Sequence, residues 1–296
     1  MIKYSETPLI KLKSTLETEA KKISLFVKRE DLNHEFVSGN KWWKLKDNLL
    51  EAQKLGHDTL LTFGGAFSNH IYATAAAAKE LGMKSIGIIR GEETLPLNET
   101  LAFAKSCGML LHYVSREDYK KKTEESFIEK LKEEFGNFYL IPEGGTNFLA
   151  VKSCAEFARE KLSTIDFDYL CLPVGTGGTM AGIICGLQGK KKIIGFSVLK
   201  NGEFLNDEVK KLVNDFSGKE LFNWHIETNY HFRGYAKHTK ELEDFISQMK
   251  QQHNLPLEFV YSAKMVFGVF DLISKNYFPE GSKILMLHTG GLRPFS

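Results

Sequence analysis

Cysteine is scarce in this chain, with 4 in 296 residues. No two of Cys107, Cys154, Cys171 and Cys185 are separated by two residues, which excludes zinc-ribbon and CxxC redox sites. Each falls in an apolar helix or strand pattern, as small buried hydrophobes in a reducing compartment do. Excess charge is lacking too. Lys and Arg number 39 against 37 Asp and Glu, a net +2, which gives no electrostatic reason to expect nucleic acid or an acidic membrane as partner. The densest basic runs, Lys120-Lys-Lys122 and Lys190-Lys-Lys192, read as solvated surface. No stretch approaches the roughly 20 apolar residues of a membrane span. The start, Met1-Ile-Lys-Tyr-Ser-Glu-Thr-Pro8, lacks the apolar run of a signal peptide, so a cytoplasmic protein is expected. No repeat or low-complexity tract is visible. What is present is an ordinary globular composition, 43% hydrophobic and 26% charged. The length allows two packed cores or one large α/β domain.

The most informative stretch is Gly175-Thr-Gly-Gly-Thr-Met-Ala-Gly182. It follows the apolar run Tyr169–Val174, a buried strand, and leads into a helix over Met180–Leu187. A strand, a tight glycine turn and a helix start gather backbone N–H groups at the positive end of a helix dipole, where phosphate binds. Small residues let the backbone approach closely. Other phosphate motifs are missing. A GxGxxG fingerprint fails because Met180 stands at its third glycine, and no acidic ribose ligand is clear in Ile193-Ile-Gly-Phe-Ser197. There is no GxxxxGK[ST] loop, no cluster with metal-ligand spacing, and no GxSxG elbow. A small phosphorylated cofactor remains, and pyridoxal phosphate needs a cradle, a lysine, and partners for its ring nitrogen and phenolic oxygen.

From about residue 58 the chain alternates strand and helix. Strands are expected at Asp58–Phe63, Lys84–Ile89, Met109–Val114 and Phe138–Ile141. Helices are expected at Lys44–Leu55, Ser68–Leu81, Glu99–Cys107, Asp118–Phe135 and Phe148–Leu162. This is the pattern of a mostly parallel sheet with right-handed crossovers. Three glycine pairs, Gly64-Gly65, Gly177-Gly178 and Gly290-Gly291, sit at strand carboxyl ends, where sites on such folds lie. Leu199–Ala236 reads as less regular, an aromatic segment packing on the cleft or on a partner subunit.

Five motifs occur in order: Ser38-Gly-Asn-Lys41 with Lys44-Leu45, Gly64-Gly-Ala-Phe-Ser-Asn-His70, Gly175-Thr-Gly-Gly-Thr179, Val260-Tyr-Ser-Ala-Lys264 with Gly268, and His288-Thr-Gly-Gly291. With them the chain resembles the 1-aminocyclopropane-1-carboxylate deaminase/D-cysteine desulfhydrase family, of the fold type II, tryptophan synthase β-like pyridoxal phosphate enzymes. The likeness spans roughly residues 5 to 295. It implies an α/β fold of two domains, each a mostly parallel twisted sheet flanked by helices. Residues 1–40 and 147–296 would form the large, cofactor-binding domain, and 41–146 a small inserted one. It also implies a homodimer acting on a small amino acid.

The resemblance assigns roles residue by residue. Lys41 would form the Schiff base with pyridoxal 5'-phosphate and afterwards move protons, with burial lowering its pKa. Asn69 would bond the phenolic oxygen. Ser68 and the N–H groups after it would hold the substrate carboxylate; without the family, Ser68-Asn69 reads equally as a helix cap. Gly175, Thr176, Gly177, Gly178 and Thr179 would cradle the phosphate. Tyr235 and Tyr261 would relay protons or stack near the substrate. Ser262 would face the pyridine nitrogen, and Thr289 and Gly290 would flank the ring.

The chain departs from the family pattern at three places. Ser262 stands where the deaminases have glutamate, so the ring is a weaker electron sink, which suits β-elimination better than cyclopropane opening. Trp42-Trp43 replaces Thr-Arg and Phe67 replaces Gln, which predicts a more aromatic pocket. The expected reaction is a D-cysteine desulfhydrase-type elimination to pyruvate and ammonia. Ring opening of 1-aminocyclopropane-1-carboxylate to 2-oxobutanoate and ammonia is the alternative. A non-catalytic pyridoxal-phosphate-binding protein is the reading from another class.

Overall fold

The computed structural model describes residues 2–292. Among the described residues, ten strands form two sheets: β1 Leu9–Lys11, β2 Ser24–Lys28, β3 Thr59–Gly64, β4 Lys84–Arg90, β5 Leu110–Val114, β6 Tyr139–Ile141, β7 Tyr169–Val174, β8 Lys192–Ser197, β9 Trp224–Glu227 and β10 Lys283–Leu287. The six-stranded sheet has the order β1-β2-β10-β7-β8-β9, and the four-stranded sheet the order β5-β4-β3-β6. Every pairing is parallel except β1 with β2. The central strands β3 and β7 are buried along their whole length, as strands covered by helices on both faces must be.

The helices are α1 Leu16–Ala20, α2 Asn40–Lys54, α3 Asn69–Glu80, α4 Glu99–Ser106, α5 Arg116–Lys120, α6 Glu125–Phe135, α7 Phe148–Phe157, α8 Gly178–Leu187, α9 Leu205–Ser217, α10 Lys240–His253 and α11 Ser262–Ser274. One apolar cluster joins the two sheets, running from Trp43 and Leu45 of α2 through Leu60 and Ala77 to Val151, Ile183 and Leu285. Helices α7 and α8 pack closely because α8 offers glycine to its neighbour. A Cβ on Gly182 would lie 2.3 Å from the Cβ of Cys154, so α8 is held firmly with its N-terminus at the end of β7.

Three segments differ from the sequence expectation. Lys41 lies inside the first turn of α2 rather than ahead of a helix starting at Lys44, because Gly39, at φ +68°, makes the break just before Asn40. The helix expected over 118–135 is two helices, with Lys121–Glu124 as turns between α5 and α6. The stretch from Leu199 to Ala236 contains the regular α9 and β9, and within it the Trp224 indole donates to Leu221 O at 2.8 Å.

Candidate active site

Strands β3, β7 and β10 end at the same place, and a cleft of about 630 Å³ opens there. At the end of β7 the chain turns through Gly175–Gly177 into α8. Gly177 is left-handed, with φ +78°, and caps α8 without any side-chain bond to its first N–H groups. Those N–H groups have no carbonyl one turn earlier to receive them. Side chains that line the cleft also pack closely on the turn. A Cβ on Gly178 would come within 2.9 Å of Thr146 Cγ2, and one on Gly175 within 3.2 Å of the Tyr261 ring.

Facing this open helix end is Lys44, 2% exposed. Its Nζ donates to Thr146 Oγ1 at 2.7 Å and Thr176 Oγ1 at 3.3 Å. No carboxylate of the described residues pairs with it. Burial, then the charge of Lys41, holds its pKa well below the ordinary lysine value. A buried amine without counter-charge, two hydroxyls and an uncapped helix start make a hole shaped for a phosphate dianion.

Lys41 sits on the cleft wall one turn before Lys44. Its Nζ donates to Asn40 Oδ1 at 3.2 Å, and Asn40 Nδ2 donates to Thr179 Oγ1 at 2.9 Å. The lysine is thereby tied to the glycine turn. Burial lowers its pKa to about 8. The loop before it is sewn to the end of β10, where Asn40 N–H donates to Thr289 O at 3.2 Å. A Cβ on Gly39 would fall 1.9 Å from that oxygen, so only glycine fits.

At the end of β3, Ser68 caps α3. Its Oγ accepts from His70 N–H at 3.2 Å and Ile71 N–H at 3.3 Å. Asn69 lines the cleft, and its Nδ2 lies 2.5 Å from where a Gly291 Cβ would be. His70 is buried, 2.8 Å through Nε2 from Thr62 Oγ1. The single Thr62 hydroxyl proton goes to Ile141 O at 2.8 Å, so His70 Nε2 donates and Nδ1 is an acceptor. Nδ1 has no partner among the described residues. Burial, with Lys41 and Lys44 nearby, lowers the His70 pKa well below its usual value and keeps the ring neutral.

Two tyrosines close the site. The Tyr261 hydroxyl donates to that of Tyr235 at 3.5 Å, with ring centroids 6.0 Å apart at 76°. Burial raises both pKa values, Tyr261 the more, so both phenols stay protonated. The family model described as pyridoxal-phosphate dependent enzyme matches residues 2–290. This chain is a member of that family.

This pyridoxal-phosphate dependent enzyme is 33% identical over 294 residues to a mitochondrial bifunctional D-cysteine desulfhydrase/1-aminocyclopropane-1-carboxylate deaminase of Arabidopsis thaliana, covering 90% of this chain and 72% of the relative. It is 32% identical over 284 residues to a putative 1-aminocyclopropane-1-carboxylate deaminase of Pyrococcus abyssi, covering 91% and 85%. The crystal structure of an ACC deaminase homologue superposes with a TM-score of 0.83 at 28% identity, covering 97% of this chain and 90% of that one. The two-sheet architecture is the fold type II architecture, and the cofactor is pyridoxal phosphate. The Lys44 hole and the Lys41 amine on one cleft fit that cofactor's phosphate and carbonyl.

The enzyme brings Lys41, Ser68, Asn69, Gly175–Thr179, Tyr235, Tyr261 and Thr289 together on the cleft wall. Gly290 lies just behind, against Ser38, with its N–H donating to His288 Nδ1 at 3.3 Å. Ser262 is not on the wall. It is fully buried, and its Oγ accepts from Glu258 N–H at 3.0 Å and donates to Glu258 O at 3.3 Å. The Glu258 carboxylate in turn accepts the N–H groups of Val260, Tyr261 and Ser262.

The expected aromatic pocket is a correction. Trp42 and Trp43 point away from the cleft and pack edge-on with Tyr4 at 4.9 and 5.2 Å; the Trp43 indole donates to Glu30 Oε2 at 2.9 Å. On α2 they occupy the face opposite Lys41 and Lys44, since neighbouring helical positions diverge. Phe67 is 48% exposed and outside the lining; its carbonyl accepts from the Tyr235 hydroxyl at 3.4 Å.

Several cleft residues carry no sequence signal strong enough to single them out as functional. Thr146 and Asn40 are ordinary loop and helix-start residues until the fold brings them to the glycine turn. Arg90 and Lys122 reach the rim from β4 and from the turn after α5, beside Tyr119, whose hydroxyl donates to Glu143 Oε1 at 2.8 Å. Lys44 did leave a signal, a lysine one turn beyond Lys41 in an otherwise apolar helix start.

Proposed function

We propose that this enzyme deaminates a small amino acid by β-elimination, of the D-cysteine desulfhydrase type, releasing pyruvate and ammonia. The observation that carries this reading is that the Lys41 amine and the Tyr235 and Tyr261 hydroxyls line one cleft, the amine with its pKa lowered and the phenols with theirs raised by burial. When bound, pyridoxal phosphate supplies the sink for the electron pair left at the substrate α-carbon. Lys44, Thr176 and the N–H groups at the start of α8 would hold its phosphate, and Lys41 would carry it. With a pKa of about 8, roughly a tenth of the Lys41 amine is neutral at pH 7, enough to take a proton from the α-carbon and return it. Ser68 and the N–H groups at the start of α3 would orient the substrate carboxylate, and Asn69 would bond the cofactor's phenolic oxygen. Tyr261 and Tyr235, both protonated, are suited to donate to a departing group rather than to attack carbon.

The second reading is ring opening of 1-aminocyclopropane-1-carboxylate, the activity in the Pyrococcus relative's name and one of the two in the Arabidopsis relative's name. That substrate has no α-hydrogen, so its ring must be attacked at another carbon. Phenols held protonated serve that chemistry less well than a phenolate would. We further propose a small domain over 41–146 inserted in a large one, a homodimer, and a cytoplasmic location. Among the described residues no helix is long and apolar enough to cross a membrane.

Side-by-side assays test the reading. D-cysteine should give sulfide and pyruvate, and 1-aminocyclopropane-1-carboxylate little 2-oxobutanoate. Turnover of the cyclopropane alone overturns it. Borohydride should fix the cofactor on Lys41, seen as an added mass on that peptide and absent from Lys41→Ala; a protein that takes up no pyridoxal phosphate would fail the enzyme reading altogether.

A further inference from the structure

The motif around Tyr261 ends in Lys264, which the cleft chemistry leaves unused. Lys264 lies on the first turn of α11 and is 0% exposed. Its Nζ donates to two main-chain carbonyls, His231 O at 2.9 Å and Gly234 O at 2.8 Å. A methionine of similar length would fill this space without burying an amine, so the contact itself calls for explanation.

Both carbonyls belong to one turn, and that turn is left-handed at four residues: Phe232 at φ +47°, Arg233 at +71°, Gly234 at +113° and Ala236 at +52°. Three of the four carry a Cβ, and such backbone persists only where its surroundings hold it. The same two carbonyls already accept from Gly234 N–H at 2.9 Å and Lys237 N–H at 3.1 Å. Lys264 therefore adds a second bond to each acceptor that closes the turn. Phe232 docks edge-on against Phe267, also of α11, with centroids 5.0 Å apart. Tyr235 stands inside this turn, and Tyr261 immediately precedes α11. One helix thus carries one tyrosine at its start and grips the loop that carries the other.

We propose that Lys264 is a positioning residue for Tyr235: its side chain clamps the turn 231–236 onto α11 and so fixes the Tyr235 hydroxyl beside Tyr261 at the cleft. This rests on the reading of Tyr235 as a group that meets the substrate. The test is a double-mutant cycle with a structural readout. Tyr235→Phe should lower kcat about 100-fold, and Lys264→Met about 10-fold, with pyridoxal phosphate affinity unchanged. In the Tyr235→Phe background, Lys264→Met should cost less than about 2-fold. Trypsin should cut after the exposed Arg233 about tenfold faster in Lys264→Met, as local opening of the turn requires.

Losses that multiply in the double variant, or an unchanged cleavage rate, overturn the clamp. If Tyr235→Phe is silent, the reading of Tyr235 falls and the clamp with it. If Tyr235→Phe is damaging and Lys264→Met is silent, only the clamp falls. Should Lys264→Met not fold, Gly234→Ala runs the same cycle, because a Cβ at φ +113° opens the turn without touching the buried amine.

Discussion

Helices α3 and α8 begin at the same structural address, the carboxyl end of a buried parallel strand facing the cleft, yet they begin differently. Ser68 satisfies the first N–H groups of α3 with its own hydroxyl. Gly177 offers α8 nothing. The surroundings differ in the same sense: Lys44 stands before α8, whereas α3 has an amide, Asn69, and a neutral imidazole, His70. A helix start left open beside a buried amine suits an anion that stays. A start that caps itself can exchange its cap for an anion that comes and goes. On the function proposed above, the cofactor phosphate and the substrate carboxylate would be that pair, one resident and doubly charged, the other transient and singly charged.

The hardest blow to this contrast is Lys44→Met. Pyridoxal phosphate should dissociate about 100-fold more readily, roughly 3 kcal/mol, while the cofactor-free protein melts no lower, because a costly buried amine is gone. Inorganic phosphate probes the same point. Burial depresses the Lys44 pKa and an arriving dianion raises it, so phosphate binding takes up a proton and weakens as pH rises. Calorimetry in buffers of different ionisation heat should detect that proton in the wild type and lose it in Lys44→Met.

Gly178→Val should weaken the cofactor about 30-fold by pushing Thr146 and the first turn apart; an unchanged dissociation constant would remove the cradle from the argument. Lys41 sharpens the contrast through pH. Its folded pKa is lowered to about 8, and carbonyl capture needs the neutral amine. Uptake of pyridoxal phosphate should therefore quicken as pH rises and level off above about 8, where an ordinary lysine would go on rising past 10. The folded protein also binds fewer protons than the unfolded chain between those values, so this group's contribution to stability grows with pH across that window. The smallest effect belongs to α3: Ser68→Ala should cost about 1 kcal/mol in thermal unfolding and leave cofactor affinity within about 2-fold. A cofactor loss as large as that of Lys44→Met would erase the distinction between the two helix starts.

Much of this was legible in the sequence, for physical reasons. Strands such as Tyr169–Val174 are continuous apolar runs because both faces are covered, and glycine pairs mark where backbones meet. The break between α5 and α6 was not legible, since charged residues run evenly through Lys121–Glu124 and leave no punctuation. The site was legible as motifs but not as directions. Adjacent letters on α2 face opposite ways, so Lys41 reaches the cleft while Trp42 and Trp43 do not. Ser262 stands where the family pattern puts it, yet its hydroxyl turns to the Glu258 backbone, a choice of rotamer that no spacing encodes.

The two indoles turned away from the cleft give the protein an optical voice. Trp42 and Trp43 directly follow Lys41 in the chain and are held rigidly by Tyr4 and Phe157. The only other tryptophan, Trp224, lies on the far edge strand of the large sheet. If Lys41 carries the cofactor as proposed, light absorbed by the pair can pass to the coloured group on that neighbouring lysine, so their emission should dim as the cofactor loads and brighten as it leaves. The enzyme would then carry its own gauge of occupancy, readable without any label.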